Sequence, residues 1–159
     1  MSAAQPGLAL DPVELPSDPQ ALAEVAAKAM YEKDPATQAL GIRLIEVAPG
    51  RARMQMTVRP DMLNGHQTCH GGFIFALADS TFAFACNSRN LATVASGCTI
   101  DSLAPGFAGD ILTAEASEAS LAGRTGVYDI LVSNQEGKRI ALFRGRTYRI
   151  KGQVVGQAG

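Results

Sequence analysis

Asp79 is the one carboxylate in the run Phe73-Ile74-Phe75-Ala76-Leu77-Ala78-Asp79-Ser80-Thr81-Phe82-Ala83-Phe84-Ala85-Cys86, whose apolar residues fall on every face of a helical wheel. Such a helix is expected to be surrounded by protein. A carboxylate within it is costly unless it is paired, hydrogen-bonded, protonated or turned toward a cavity. Either Asp79 is structural, satisfied by a neighbouring hydroxyl such as Ser80 or by backbone amides, or it is a general base or nucleophile in a pocket.

The approach to the helix favours chemistry. Asn64-Gly65-His66-Gln67-Thr68-Cys69-His70-Gly71-Gly72 concentrates hydrogen-bonding groups and three glycines immediately before the apolar run. Unpaired N–H groups at a helix start carry partial positive charge, and a glycine without Cβ lets a substrate carbonyl approach the backbone closely. That is the arrangement of an oxyanion hole, and a tight turn that needs glycine dihedrals is compatible with it. Gly71 and Asp79 lie eight residues apart, about 12 Å along a helix at 1.5 Å per residue. One carbonyl group cannot touch both. Joint action therefore requires Asp79 of one chain to face Gly71 and Asn64 of another, in a two-fold dimer with two equivalent sites.

Other residues offer less. His66, Cys69 and His70 lack a clear fourth ligand for a metal, and neither a metal nor a cofactor is expected. Cys69 precedes the helix and reads as a reduced bystander thiol. His70 either positions substrate or caps the turn. Lys138, Arg139, Arg144, Arg146, Arg149 and Lys151 are candidates for nucleotide phosphates, although alternating basic residues on a strand commonly form its solvated face. Arg124, after Gly123 at a turn, is a further phosphate candidate.

The elements that position these groups follow from periodicity and punctuation. The 159 residues suit one domain, with 47% hydrophobic residues, 18% charged and net charge -1; this excludes a global attraction to nucleic acid or anionic membrane. Three cysteines without a CxxC spacing suggest reduced thiols in the cytoplasm, and no signal-peptide core or membrane span is evident. Residues 1–16 read as a flexible leader, 17–152 as the domain and 153–159 as a tail. Ser17-Asp18-Pro19-Gln20 offers an N-cap and a capping box ahead of a helix over Ala21 to Lys33. Strands are expected at 42–47 and 52–58, with a Pro49-Gly50 turn between them. Four more follow at 93–103, 111–120, 125–134 and 138–150, expected to form antiparallel pairs. Two strands, a buried helix and four strands make an α+β sheet curled around one central helix.

The segment Leu63-Asn64-Gly65-His66-Gln67-Thr68-Cys69-His70-Gly71-Gly72, followed by Leu77-Ala78-Asp79, resembles the hotdog-fold thioesterases of the phenylacetate-degradation PaaI type. The likeness continues through Cys98-Thr99-Ile100-Asp101, Pro105-Gly106-Phe107-Ala108-Gly109-Asp110 and Ala141-Leu142-Phe143-Arg144-Gly145, and covers the chain from about Met30 to Gly152. It implies an antiparallel sheet wrapped around a helix, a homodimer whose sheets join, and commonly a dimer of dimers. It also implies hydrolysis of an acyl-CoA substrate, with phenylacetyl or hydroxyphenylacetyl as favoured acyl groups. By position, Asp79 is the catalytic carboxylate, Gly71 polarises the thioester carbonyl, and Asn64 lies beside the attacking water or the carbonyl. The strand around Ser96 and Gly97 would run along the pantetheine arm, and where some relatives carry Ser or Thr this chain has Ala95. Asp79 would act on water or attack directly to form a mixed anhydride. A hotdog hydratase or dehydratase, and a non-catalytic acyl-CoA-binding subunit, are the rival functions.

Overall fold

The computed structural model describes residues 14–156. Residues 1–13 of the expected leader and 157–159 of the expected tail lie outside that range.

Helix α1 spans Pro19–Glu32 and is capped by Asp18, whose Oδ2 accepts the Ala21 N–H at 2.8 Å. The expected capping box does not form. Gln20 Nε2 instead donates to the Val47 carbonyl at 2.8 Å, which ties the helix to the first strand. A short helix α2, Pro35–Ala39, and one 3-10 turn at Pro60–Met62 are elements that periodicity could not reveal, because neither is long enough to show a period.

Six strands form one antiparallel sheet: β1 Arg43–Ala48, β2 Arg51–Thr57, β3 Leu91–Ser102, β4 Ile111–Ala122, β5 Thr125–Ser133 and β6 Arg139–Gln153. Their spatial order is β1-β2-β4-β5-β6-β3. Alternation sets the two faces. Ala52, Met54 and Met56 of β2 turn inward with Ala114 and Ala116 of β4 and Ile130 and Val132 of β5, while Arg53, Glu115 and Leu131 share the outer face.

The central helix α3 runs from Gly71 to Cys86, two residues earlier than the apolar run begins. Its Leu77, Ala78, Phe82 and Ala85 are essentially inaccessible, so the sheet grips the phenylalanine and closes onto the alanines. Gly145 of β6 makes this curl possible: a Cβ there would stand 2.5–2.7 Å from the Phe82 ring. At the far end of α3, Arg89 donates to both oxygens of Glu118 at 2.6 and 3.2 Å, and the buried Tyr128 hydroxyl donates to the same carboxylate at 2.7 Å. Beyond β6, the Asn90 side chain pairs with the backbone N–H and C=O of Val155.

One expectation about α3 needs correcting for the single chain. The helix is not covered all round: Gly72 is exposed, and Ala76, Asp79, Ser80 and Ala83 are half-buried, forming a stripe at helical spacing that the sheet does not reach. Strand β3, at the sheet edge, has β6 on one side and no partner on the other among the described residues.

Candidate active site at the central helix

The sequence folds locally into a closed loop before α3. Leu63 and Cys69 form an isolated antiparallel bridge, the Cys69 N–H donates to the Gly106 carbonyl at 2.8 Å, and the His70 N–H donates to Met62 at 2.8 Å. Within the loop, Asn64 N–H donates to the Thr68 carbonyl at 2.9 Å and Gln67 N–H to the Asn64 carbonyl at 3.0 Å. Closure in so few residues puts Gln67 at φ 60°, in the left-handed region.

His70 is the N-cap of α3. Its Nδ1 accepts the Gly72 N–H at 2.9 Å, so in this arrangement the ring hydrogen is carried on Nε2, which is left as a donor. The cap satisfies Gly72 and leaves its neighbour: the Gly71 N–H has no hydrogen-bond partner among the described residues, and apart from its chain neighbours and its own helix backbone nothing lies within 4 Å of where its Cβ would be. A free N–H at the positive end of a long helix, on an exposed glycine with open space at its Cα, suits an oxygen that gains negative charge.

Asp79 stands two turns further on. Its carboxylate has no hydrogen-bond or ion-pair partner among the described residues, and burial alone raises its pKa above the ordinary carboxylate value. Ser80 does not satisfy it. The Ser80 hydroxyl meets Thr37 Oγ1 at 2.9 Å, and Thr37 in turn donates to Asp34 Oδ2 at 2.6 Å. Since the Thr37 hydrogen is committed to Asp34, Ser80 is the donor of that pair, directed toward α2. Neighbouring hydroxyls and amides of this chain therefore do not satisfy Asp79. An unpartnered carboxylate, destabilised by burial on the open stripe of the helix, has what a general base needs.

Within one chain, Asn64, His70 and Gly71 gather at the start of α3 while Asp79 stays about 12 Å along the axis. Ser96 and Gly97 lie on the edge strand, with Ser96 the extra residue of a bulge between Ala95 and Gly97. Gly97 lets the Arg146 guanidinium lie flat on the strand, since a Cβ there would be 3.0 Å from an Arg146 terminal nitrogen. Arg124 is exposed at the β4–β5 turn, where its carbonyl accepts the Arg149 N–H at 2.7 Å. Among the basic candidates, Arg144 is held by Asp129 through two contacts of 2.6 and 2.9 Å, whereas Arg124, Arg146 and Arg149 have no ion pair among the described residues. Alternating basic residues looked equivalent in the sequence; the register with Asp129, which separates Arg144 from the others, is a tertiary fact. Cys69 and Cys86 are buried thiols, with burial pushing Cys69 up and Cys86 up to about 12, far from a nucleophilic thiolate at neutral pH. No group of three or more potential metal ligands is found among the described residues, and no described helix is long and apolar enough to cross a membrane.

Comparison with known proteins places this geometry. Residues 66–141 match the model of the Thioesterase superfamily. The chain is 57% identical over 132 residues to the acyl-coenzyme A thioesterase PaaI of Escherichia coli K12, covering 83% of this chain and 94% of that protein. The structure of the E. coli PaaI protein from the phenylacetic acid degradation operon superposes with a TM-score of 0.84 at 54% identity, over 86% of this chain and 99% of the other. A hypothetical thioesterase from Streptococcus pneumoniae, solved with coenzyme A, matches at a TM-score of 0.67 and 25% identity, over 70% of this chain and 90% of that one. A sheet curled on a long helix is thus a fold shared with proteins of one family, and the chain belongs to the PaaI-type hotdog thioesterases of the Thioesterase superfamily.

Proposed function

We propose that the protein hydrolyses aryl-acetyl thioesters of coenzyme A, such as phenylacetyl-CoA and hydroxyphenylacetyl-CoA, within phenylacetate catabolism in the cytoplasm. The observation that carries this reading is the pairing of a carboxylate without partners, Asp79, with a free amide at a helix start, Gly71. Asp79 takes a proton from water as its oxygen bonds to the thioester carbon. The Gly71 N–H holds the carbonyl oxygen as it becomes an oxyanion. The C–S bond then breaks, and the proton passes to the CoA thiolate, leaving free acid and CoA.

The site belongs to two chains. Asp79 of one subunit serves the Gly71 helix start and Asn64 of the other, in a homodimer joined along the edge strands β3. Two features support this: the ladder of β3 is open on one side, and the stripe of α3 that carries Asp79 is uncovered. Two such dimers pair through the outer sheet face, where Leu142, Tyr148 and its register partner Val94 are each more than 40% exposed. His70 Nε2 orients the thioester. Ser96 and Gly97 flank the pantetheine arm, and Arg124 faces the CoA phosphates, being free of ion pairs where Arg144 is not.

Thiol release across phenylacetyl, hydroxyphenylacetyl, benzoyl and straight-chain CoA esters tests the substrate class. Fastest turnover is expected with the aryl-acetyl esters, and no hydrolysis across the panel would overturn the proposal. Hydrolysis in ¹⁸O-water tests the role of Asp79, since label entering its carboxylate would replace general-base catalysis by direct attack.

A further inference from the structure

If Asn64 serves the reaction as proposed above, something must decide which end of its amide meets the substrate. The carboxamide has an acceptor and a donor of nearly the same shape. In this loop Asn64 Oδ1 receives three hydrogens: from the His66 N–H at 2.9 Å, the Thr68 N–H at 3.3 Å and the Thr68 hydroxyl at 3.2 Å. A flipped amide would turn its NH₂ group onto the two backbone donors and lose both of those bonds, keeping only a contact with the Thr68 hydroxyl, which accepts as well as donates. The Asn64 Nδ2 hydrogens, by contrast, have no partner among the described residues.

Two of the three donors are backbone groups that any residue would supply. The third is a side chain, and it is the only donor that a substitution can remove without altering the loop backbone. We infer that Thr68 is a positioning residue for the thioesterase reaction: the two backbone N–H groups set the sense of the Asn64 amide, and the Thr68 hydroxyl adds the third bond that clamps it with oxygen toward the loop and Nδ2 toward the site, so that Asn64 acts as a hydrogen-bond donor. A donor holds the lone pair of the carbonyl oxygen or of the attacking water, and it does not compete with Asp79 for the proton.

The loop is built to keep this orientation. The Asn64 N–H and C=O are both used inside it, by Thr68 and Gln67 respectively, so the backbone on which the amide turns is itself fixed. Gln67 is held in the left-handed region to allow that closure. Strain of this kind persists where the surrounding contacts over-determine a conformation, as they do around Asn64.

The test is a double-mutant cycle on the full chain, read as kcat and KM for phenylacetyl-CoA and accompanied by a melting curve. Thr68→Val is expected to lower kcat about fivefold, the factor one ordinary hydrogen bond supplies, with KM changed less than twofold. Thr68→Ser, which keeps the hydroxyl, is expected to restore kcat to within about twofold of the parent. In an Asn64→Ala background, Thr68→Val should cost nothing further, because no amide is left to orient. Should Thr68→Val fold poorly, Thr68→Ala removes the same hydroxyl with less bulk and takes its place in the cycle. An equal loss with and without Asn64, or a Ser variant as slow as Val, would overturn the role of Thr68. Full turnover by Asn64→Ala would instead overturn the proposed use of Asn64, and the inference with it.

Discussion

A purified hybrid dimer is the sharpest test of the shared site. One subunit carries Asp79→Ala and its partner Asn64→Ala, with different affinity tags so that only hybrids survive two purification steps. Along one helix, Gly71 and Asp79 are separated by about 12 Å and turned roughly 80° around the axis, whereas reacting atoms must come within about 3–3.5 Å. In the proposed dimer each site draws Asp79 from one chain and Gly71 with Asn64 from the other. In the hybrid, one site receives both substitutions and the second receives neither. The intact site should give about half the wild-type kcat per dimer with an unchanged KM, while each parent homodimer, having the same defect in both sites, keeps a measurable rate well below that. The assay is thiol release from phenylacetyl-CoA at matched dimer concentration, soon after purification so that subunit exchange does not regenerate the parents. If every site were built within one chain, each hybrid site would contain one lesion and the hybrid would be as slow as its parents. That result would refute the two-chain geometry.

Other outcomes follow from individual contacts. Burial raises the Asp79 pKa in the folded state, so the native protein keeps this proton to a higher pH than the unfolded chain does, and stability falls as pH rises between the two values. Asp79→Asn should accordingly melt at a higher temperature than the parent at neutral pH and lose that advantage below the unfolded-state pKa; equal melting curves at both pH values would show that the carboxylate is not under strain. For the same reason the acid limb of kcat/KM should lie above the ordinary carboxylate range. Gly145→Ala sets a Cβ 2.5–2.7 Å from the Phe82 ring and should cost roughly 1–3 kcal/mol by overpacking, seen as a lower Tm that Phe82→Leu partly restores. Gln67→Val, which puts a β-branched residue at φ 60°, should cost about 1–3 kcal/mol and slow turnover by disturbing Asn64, whereas Gln67→Gly should leave turnover near the parent value.

The parts of the fold legible in the sequence were those where one periodicity dominates over a long enough span. In β2, Ala52, Met54 and Met56 alternate with polar residues and are buried as that alternation requires. The all-apolar stretch of α3 identified the central helix, yet it misled about coverage within the chain, since composition does not tell which faces of a helix the sheet reaches. Helix α2 was too short to show a pattern, and its N-cap Asp34 was invisible without it. At the site, Asp79 stood out because a carboxylate breaks an apolar pattern, and Gly71 because glycines cluster at the helix start. Thr68 gave no comparable signal. Its importance comes from a hydroxyl that reaches back four residues to Asn64, a contact created by the loop's closure.

The surroundings of Asp79 fit the proposed role of a base through what they lack. A carboxylate that accepts one or two hydrogen bonds, or pairs with a guanidinium, is stabilised in its charged form and has less tendency to take a proton. Asp129 illustrates that state: its contacts with Arg144 hold its pKa below the usual value. Asp79 is protected from the same fate in two ways. Its nearest hydroxyl in sequence, Ser80, is drawn toward α2 through Thr37 and Asp34, and its own stripe of α3 offers only Gly72, Ala76 and Ala83 beside Ser80. The cost of the unpartnered carboxylate is carried by the rest of the helix, through Phe82 and Leu77 in the sheet and the Arg89–Glu118–Tyr128 cluster near its C-terminal end. Filling either α3 position next to Asp79 with a donor, as in Ala76→Ser or Ala83→Ser, should therefore lower the Asp79 pKa and the rate together. A shift of the acid limb to lower pH with kcat reduced would show that catalysis depends on the absence of a partner as much as on the carboxylate itself.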